Sequence, residues 1–166
     1  MARSTRRFLA PVASLFLSAF LLPACSVRKV GVNVLAGAIA GGGDTYASDD
    51  DPELVAAAIP FGLKTVEGLL VETPSHEGLL LAAVSGFTQY GYAFVQSEAD
   101  YVEAKDLARA TELRARARKL YGRALRYGLR GLEARHPGFR EGLRSDARRE
   151  KTLAAMEKAD APFLYW

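Results

Sequence analysis

Two apolar segments joined by a proline turn constrain this chain more than any other feature. Asp49-Asp50-Asp51 leads into Pro52, and the chain stays largely apolar as far as Thr73-Pro74-Ser75. It turns there and stays largely apolar again to about Gln96. Asp51 suits an N-cap, Pro52 the first helical position and Glu53 the positive end of the helix. Leu54, Ala58, Phe61, Val66, Leu69 and Leu70 then predict one apolar face at helical spacing. Pro60 falls inside that pattern and should kink or divide the helix near Ile59, because proline lacks the N–H that the ladder requires. The acidic triplet has neither the later acid nor the central glycine of a calcium loop, so it reads as a cap.

After the turn, where His76 reads as a solvated residue, a second helix starts at Glu77 or Gly78. Leu79, Leu80, Ala83, Val84, Phe87, Tyr90, Gly91 and Phe94 cover much of its circumference, which predicts a helix that is largely buried. Phe87, Tyr90 and Phe94 form an aromatic stripe. It reads either as core packing or as the lining of an apolar ligand cavity. Glu98 to Asp106 is a polar junction with no glycine or proline to mark its limits.

A long helix follows from about Leu107 to Glu133. Leu113, Ala117, Leu120, Ala124, Tyr127, Gly128 and Leu132 lie near one face, and the small residues among them permit close approach. Arg116, Lys119, Arg123, Arg126 and Arg130 recur at alternating spacings of three and four, which aligns them as a basic ridge flanked by Glu112 and Glu133. The ridge is either a solvated face or a docking surface for an acidic protein or lipid head groups. Arg135-His136-Pro137-Gly138 repeats the proline-bearing exit, with His136 as a capping residue. Phe139 to Leu143 reads as a turn, and Asp146 to Lys158 as another helix with Leu153 and Met156 inward. Asp160-Ala161-Pro162 opens one more helix, carrying Phe163-Leu164-Tyr165-Trp166. An aromatic helix start normally needs a following helix to cover it. The chain is therefore expected to be truncated at its C-terminal end, or else its aromatic tail docks on the domain or at an oligomer interface.

The amino-terminal region has the form of an export label. Arg3, Arg6 and Arg7 precede an uncharged run from Phe8 to Leu22, which is short for a permanent membrane span. Residues 1–24 are expected to be a signal peptide, and residues 25–43 a lipidated cysteine with a glycine-rich tether ending in Gly41-Gly42-Gly43. Those glycines lack the Lys-Ser/Thr of a phosphate loop. The same three arginines explain the net charge of +3: without them, 19 of the 22 basic residues face 19 acidic ones. A nucleic-acid role thus has no support from charge. Cys25 is the single cysteine, so there is neither an internal disulfide nor a cysteine-based zinc site.

Leu22-Pro23-Ala24-Cys25 resembles the lipobox of bacterial lipoproteins. This implies acylation of Cys25 and anchoring in the cell envelope, facing the periplasm. Ser26, which carries no acidic retention signal, leans the anchor towards the outer membrane. The wider pattern DDDPEL, PFGLK, GFTQY and YAFVQ, with RARKLYGRALRYGLRGLE and the terminal DAPFLYW, resembles the TatT family. Its members are T components of tripartite ATP-independent periplasmic (TRAP) transporters. The similarity extends over Gly41 to Trp166, so residues 44–166 form a partial TatT-like domain.

The resemblance implies an all-α fold of antiparallel helical hairpins, degenerate tetratricopeptide repeats in an α-α superhelix. It also implies an extracytoplasmic solute-binding protein as partner, a homotrimer and an apolar ligand cavity. The cavity candidates are Phe87, Tyr90, Phe94, Tyr165 and Trp166. The partner-surface candidates are Arg116, Lys119, Arg123, Arg126 and Arg130. The expected role is binding and handover of a small hydrophobic or organic-acid solute, with no catalytic residue, cofactor or metal. The rival is a helical-repeat lipoprotein scaffold in envelope assembly. An envelope enzyme is the weakest reading, since no Ser/His/Asp spacing, HExxH or catalytic carboxylate pair is recognisable.

Overall fold

The computed structural model describes Tyr46 and residues 48–166, so the expected signal peptide, Cys25 and the tether lie outside the described residues. Every element among the described residues is helical. They are α1 (Pro52–Glu72), α2 (Glu77–Tyr90), a π-helical turn (Gly91–Gln96), α3 (Ser97–Val102), α4 (Leu107–Arg135), α5 (Phe139–Arg144), α6 (Asp146–Ala154), a 3₁₀ turn (Lys158–Asp160) and α7 (Ala161–Tyr165).

α1 begins as its cap predicts: the Asp51 carboxylate accepts the backbone N–H groups of Glu53 and Leu54 at 3.1 and 3.0 Å. It does not divide at Pro60. Losing one ladder bond costs about 3 kcal/mol, but buried anchors on both sides of the proline, Val55 before it and Leu63, Val66 and Leu70 after it, hold the helix in place. The buried face is not the expected one throughout. Leu54 and Phe61 are exposed, at 58% and 79%. Between Leu54 and Phe61 this helix is apolar on every side, so periodicity alone could not select which stripe faces α2.

His76 is the N-cap of α2, not a solvated turn residue. It is half-buried, and its Nδ1 accepts the Leu79 N–H at 3.2 Å. The face of α2 agrees with its pattern: Leu79, Leu80, Ala83, Val84, Phe87 and Tyr90 are all buried. Phe94 departs from it. The π turn inserts an extra residue into the winding, so Val95 takes the fully buried position and Phe94 packs only partly against the core. Gly91 lets α4 approach this turn closely, since a Cβ there would meet the Tyr121 ring at 3.1 Å. The polar junction is helical as far as Val102, after which Asp106 caps α4 by accepting the Arg109 N–H at 2.9 Å.

Chain direction follows from side-chain pairs. Glu77 meets Arg135, Tyr90 meets Arg116, and Asp100 meets Arg114, so α2 with its extension is antiparallel to α4. Glu67 meets Tyr127 and Leu70 meets Arg130, so α1 runs parallel to α4. α2 is the shared partner, packed on α1 and on α4. The core runs along it and is closed by Leu113, Ala117, Ala124 and Leu132 of α4, with Phe139 and Phe163 at one end.

The C-terminal third differs most from expectation. Phe139–Arg144 is a helix instead of a turn, entered through Gly138 at φ +86°, a conformation that favours glycine. α6 ends at Ala154, short of Lys158, and buries none of its residues. Leu153 is 48% exposed, while Met156 packs partly on the core. Phe163 inserts against Gly131, where a Cβ would collide with its ring, and this seats α7 on α4.

Candidate functional site

α1 and α4 are linked chiefly by long side chains reaching across α2. An open cleft of about 290 Å³ lies where they meet, lined by Glu67 of α1, by Arg123, Arg126, Tyr127 and Arg130 of α4, and by Arg140 of α5. The Tyr127 ring stacks on Phe87 of α2, with centroids 6.0 Å apart and planes 7° apart. The Arg123 guanidinium covers the same phenylalanine at 5.2 Å, and that of Arg130 lies 6.0 Å from the Tyr127 ring. Guanidinium groups settle on aromatic faces because they are flat, weakly hydrated and attracted to the ring's negative face.

Two sets of residues that are separate in sequence are therefore layered. Phe87 and Tyr90 are buried, at 2% and 9% exposure, and arginines from the basic ridge lie over them. Arg116 caps the far end of this row, 5.9 Å from the Tyr90 ring centre, and donates to the Tyr90 hydroxyl at 3.3 Å. The ridge is consequently not a uniformly solvated face: Arg123 and Arg130 are half-buried, whereas Arg116, Lys119 and Arg126 are exposed.

Glu67 organises the cleft. It accepts from Lys64 at 2.6 Å, from the Tyr127 hydroxyl at 2.9 Å and from Arg123 at 3.4 Å. Burial pushes its carboxyl up, but the hydrogen bonds from Lys64 and Tyr127 and the Arg123 charge outweigh that and hold it below the usual carboxylate range. Burial, and then the bond to Glu67, push the Tyr127 phenol up, so the phenol stays a donor. Arg130 donates Nε to the Pro74 carbonyl at 2.7 Å and a terminal nitrogen to the Leu70 carbonyl at 3.1 Å, closing the carbonyl-rich end of α1. Arg140 donates to the Arg126 carbonyl at 3.2 Å. Glu67 and Arg140 went unrecognised in the sequence. Glu67 is an isolated acid on an apolar helix and Arg140 follows a turn, so no local pattern marks either.

The other sequence-derived candidates lie elsewhere. Phe94 tilts against Tyr90 with centroids 5.7 Å apart. Tyr165 and Trp166 are exposed and meet edge to face at 4.8 Å. The Trp166 carbonyl accepts from the Thr88 hydroxyl at 3.3 Å, so the tail meets α2 one residue from Phe87 while its rings stay in solvent.

A second charged cluster sits at the end of α4. Asp160 is wholly buried and accepts Arg135 Nε at 2.6 Å, His136 Nε2 at 2.8 Å and the Glu157 backbone N–H at 2.8 Å. The Glu157 N–H holds its carboxyl below the usual range; burial opposes this, and His136 and Arg135 reinforce it. Against an ionised carboxylate, His136 Nε2 must carry the proton. His136 is the C-cap of α4, as expected, and also a partner of Asp160, which the sequence did not suggest. Among the described residues, no three His, Cys, Asp or Glu side chains gather to hold a metal ion.

Comparison with known proteins places this geometry. An uncharacterized protein of Treponema pallidum (strain Nichols) is 36% identical over 167 residues, which cover 91% of this chain and 52% of the relative. The chain thus spans about half the length of that relative. The family model for the TRAP transporter T-component matches residues 48–166, which include both α1–α4 and the Asp160 cluster. The family is one of transport accessory proteins. This chain belongs to the TRAP transporter T-component family, as the resemblance in its sequence implied.

Proposed function

We propose that the protein is the lipid-anchored, periplasm-facing accessory component of a TRAP system, held in the envelope through Cys25. It engages an extracytoplasmic solute-binding protein through the basic face of α4 and assists transfer of a small apolar or organic-acid solute. The observation that carries this reading, beside family membership, is the layering of Arg116, Arg123 and Arg130 over Tyr90, Phe87 and Tyr127. A face that is cationic outside and aromatic beneath suits recognition of acidic groups attached to an organic body. Phe94, which packs against Tyr90, and the exposed Tyr165 and Trp166 complete the proposed ligand-lining set.

Capture of the solute-binding protein by the full-length chain tests the reading. Charge reversal at Arg116→Glu with Lys119→Glu should weaken capture tenfold or more, and unchanged affinity would return this face to plain solvation. Intact-mass measurement of the exported protein tests the anchor, which a free Cys25 thiol would eliminate. The scaffold alternative draws on a different feature, the exposed Leu54, Phe61 and Val71 of α1. Under that reading, polar replacement of these three abolishes capture of envelope partners while charge reversal on α4 does not.

A further inference from the structure

We propose that the cleft between α1, α4 and α5 is a binding site for a small multivalent oxyanion, a compact molecule bearing two or more carboxylate groups or a phosphate. The charge balance carries the inference. Four guanidinium groups line the cleft, with one carboxylate, Glu67, among them. Glu67 is already shared by Lys64, Arg123 and the Tyr127 hydroxyl. Arg130 and Arg140 donate to neutral carbonyls, which use some of their donors and none of their charge. The Arg126 side chain has no hydrogen-bond acceptor among the described residues.

Two guanidinium groups around one recess, those of Arg126 and Arg130, therefore have no carboxylate partner among the described residues, and the Arg140 charge is met only from outside the cleft, by Glu133. Holding like charges together is unfavourable by itself, and more so where neighbouring helices and rings reduce hydration. A bound oxyanion removes that cost, and each guanidinium fork matches two oxygens of a carboxylate or phosphate. The arrangement is also preorganised. Arg123 and Arg130 rest on aromatic rings, and Arg140 is held to the α4 backbone, so little side-chain freedom remains to be lost on binding. At about 290 Å³ the cleft is at the lower limit of small-molecule sites, which favours a compact ligand. Its position between two helices favours a soluble anion over a flat surface.

The inference deepens the proposed function by assigning a ligand class to part of the same face, and it rests on that face being a binding surface. It separates from partner docking because Arg140 lines the cleft outside the basic ridge, while Arg116 and Lys119 belong to the ridge outside the cleft.

The test is calorimetric titration of the full-length chain with citrate and with inorganic phosphate, alongside sedimentation with phosphatidylglycerol and phosphatidylcholine vesicles. Citrate or phosphate should saturate one site per chain. Arg126→Gln with Arg140→Gln should weaken that binding at least tenfold with helicity unchanged, and Arg109→Gln with Arg118→Gln, exposed α4 arginines outside both ridge and cleft, should move it less than twofold. Arg140→Lys, which keeps the charge and removes the fork, should fall between wild type and the cleft double variant. Failure of both soluble anions to saturate would overturn the site. Equal weakening by the two double variants would do the same, since it would indicate diffuse attraction. So would binding to phosphatidylglycerol vesicles without binding of either soluble anion. Loss of anion binding in the cleft double variant with solute-binding-protein capture intact would support the cleft as a separate site, whereas anion binding by a wild-type chain that captures no solute-binding protein would count against the docking reading alone.

Discussion

The Asp160 cluster and the arginine cleft use similar side chains in opposite ways. At Asp160 one buried carboxylate is answered on both oxygens by Arg135, His136 and the Glu157 N–H, and Arg135 also reaches Glu77 at the start of α2. The charges there are closed on one another, and they tie α2, α4 and the C-terminal turn together. In the cleft the cations outnumber the acid, and neutral carbonyls position them without neutralising them. A closed cluster stabilises a fold. An open one holds charge in reserve for something that arrives from outside.

The largest test of this contrast removes the buried carboxylate. Asp160→Ala removes the acceptor shared by Arg135, His136 and the Glu157 N–H and should destabilise the protein by about 3 kcal/mol, measured by urea unfolding. Arg126→Ala in the cleft should stay within about 0.5 kcal/mol of wild type, or gain slightly as repulsion is relieved. Equal losses at the two sites would break the distinction.

Next in size is seating of the C-terminal helix. Gly131→Ala drives a methyl into the Phe163 ring and should cost about 1–3 kcal/mol. It should loosen the chain from Asp160 onward, read as faster amide exchange there, while the cleft is unchanged.

Glu67→Gln tests the one acid of the open site. It should cost about 1 kcal/mol, because the Tyr127 bond survives in neutral form, and it should tighten citrate or phosphate binding by removing a competing negative charge. Weaker anion binding in this variant would indicate that Glu67 positions Arg123 more than it competes with the ligand.

The subtlest test is pH. The Asp160 and Glu67 carboxyls are both held below their ordinary values in the folded protein. The unfolded chain therefore takes up protons first as pH falls. Their stabilisation is complete above the ordinary carboxylate range and is lost below it, as pH drops through the depressed folded values. Urea midpoints should thus be flat from neutrality down to that range and then decline. Asp160→Asn should flatten the decline more than Glu67→Gln does, since the Asp160 carboxylate is wholly buried.

Much of the fold was legible because helices announce themselves locally. Asp51-Pro52, Thr73-Pro74 and His136-Pro137-Gly138 mark helix ends through local capping and backbone geometry. The burial of α2 was readable as far as Tyr90, since its apolar pattern covers much of the helix. Beyond Tyr90 the π turn shifted the register by one residue and put Val95 where Phe94 was expected. The site was legible only in halves. The aromatic stripe and the basic ridge each had a period, but nothing in either pattern said that one covers the other.

The sequence by itself determined the helical class, the main caps and turns, the apolar seams of α2 and α4 and membership in the TRAP T-component family, because each depends on short-range spacing or direct similarity. Tertiary structure alone decided which face of α1 is buried, that Asp160 closes the end of α4, and that Glu67 and Arg140 join three ridge arginines around one cleft. Those residues come from separate helices. Their charges interact only after packing has brought them together, and no local sequence pattern encodes that distance.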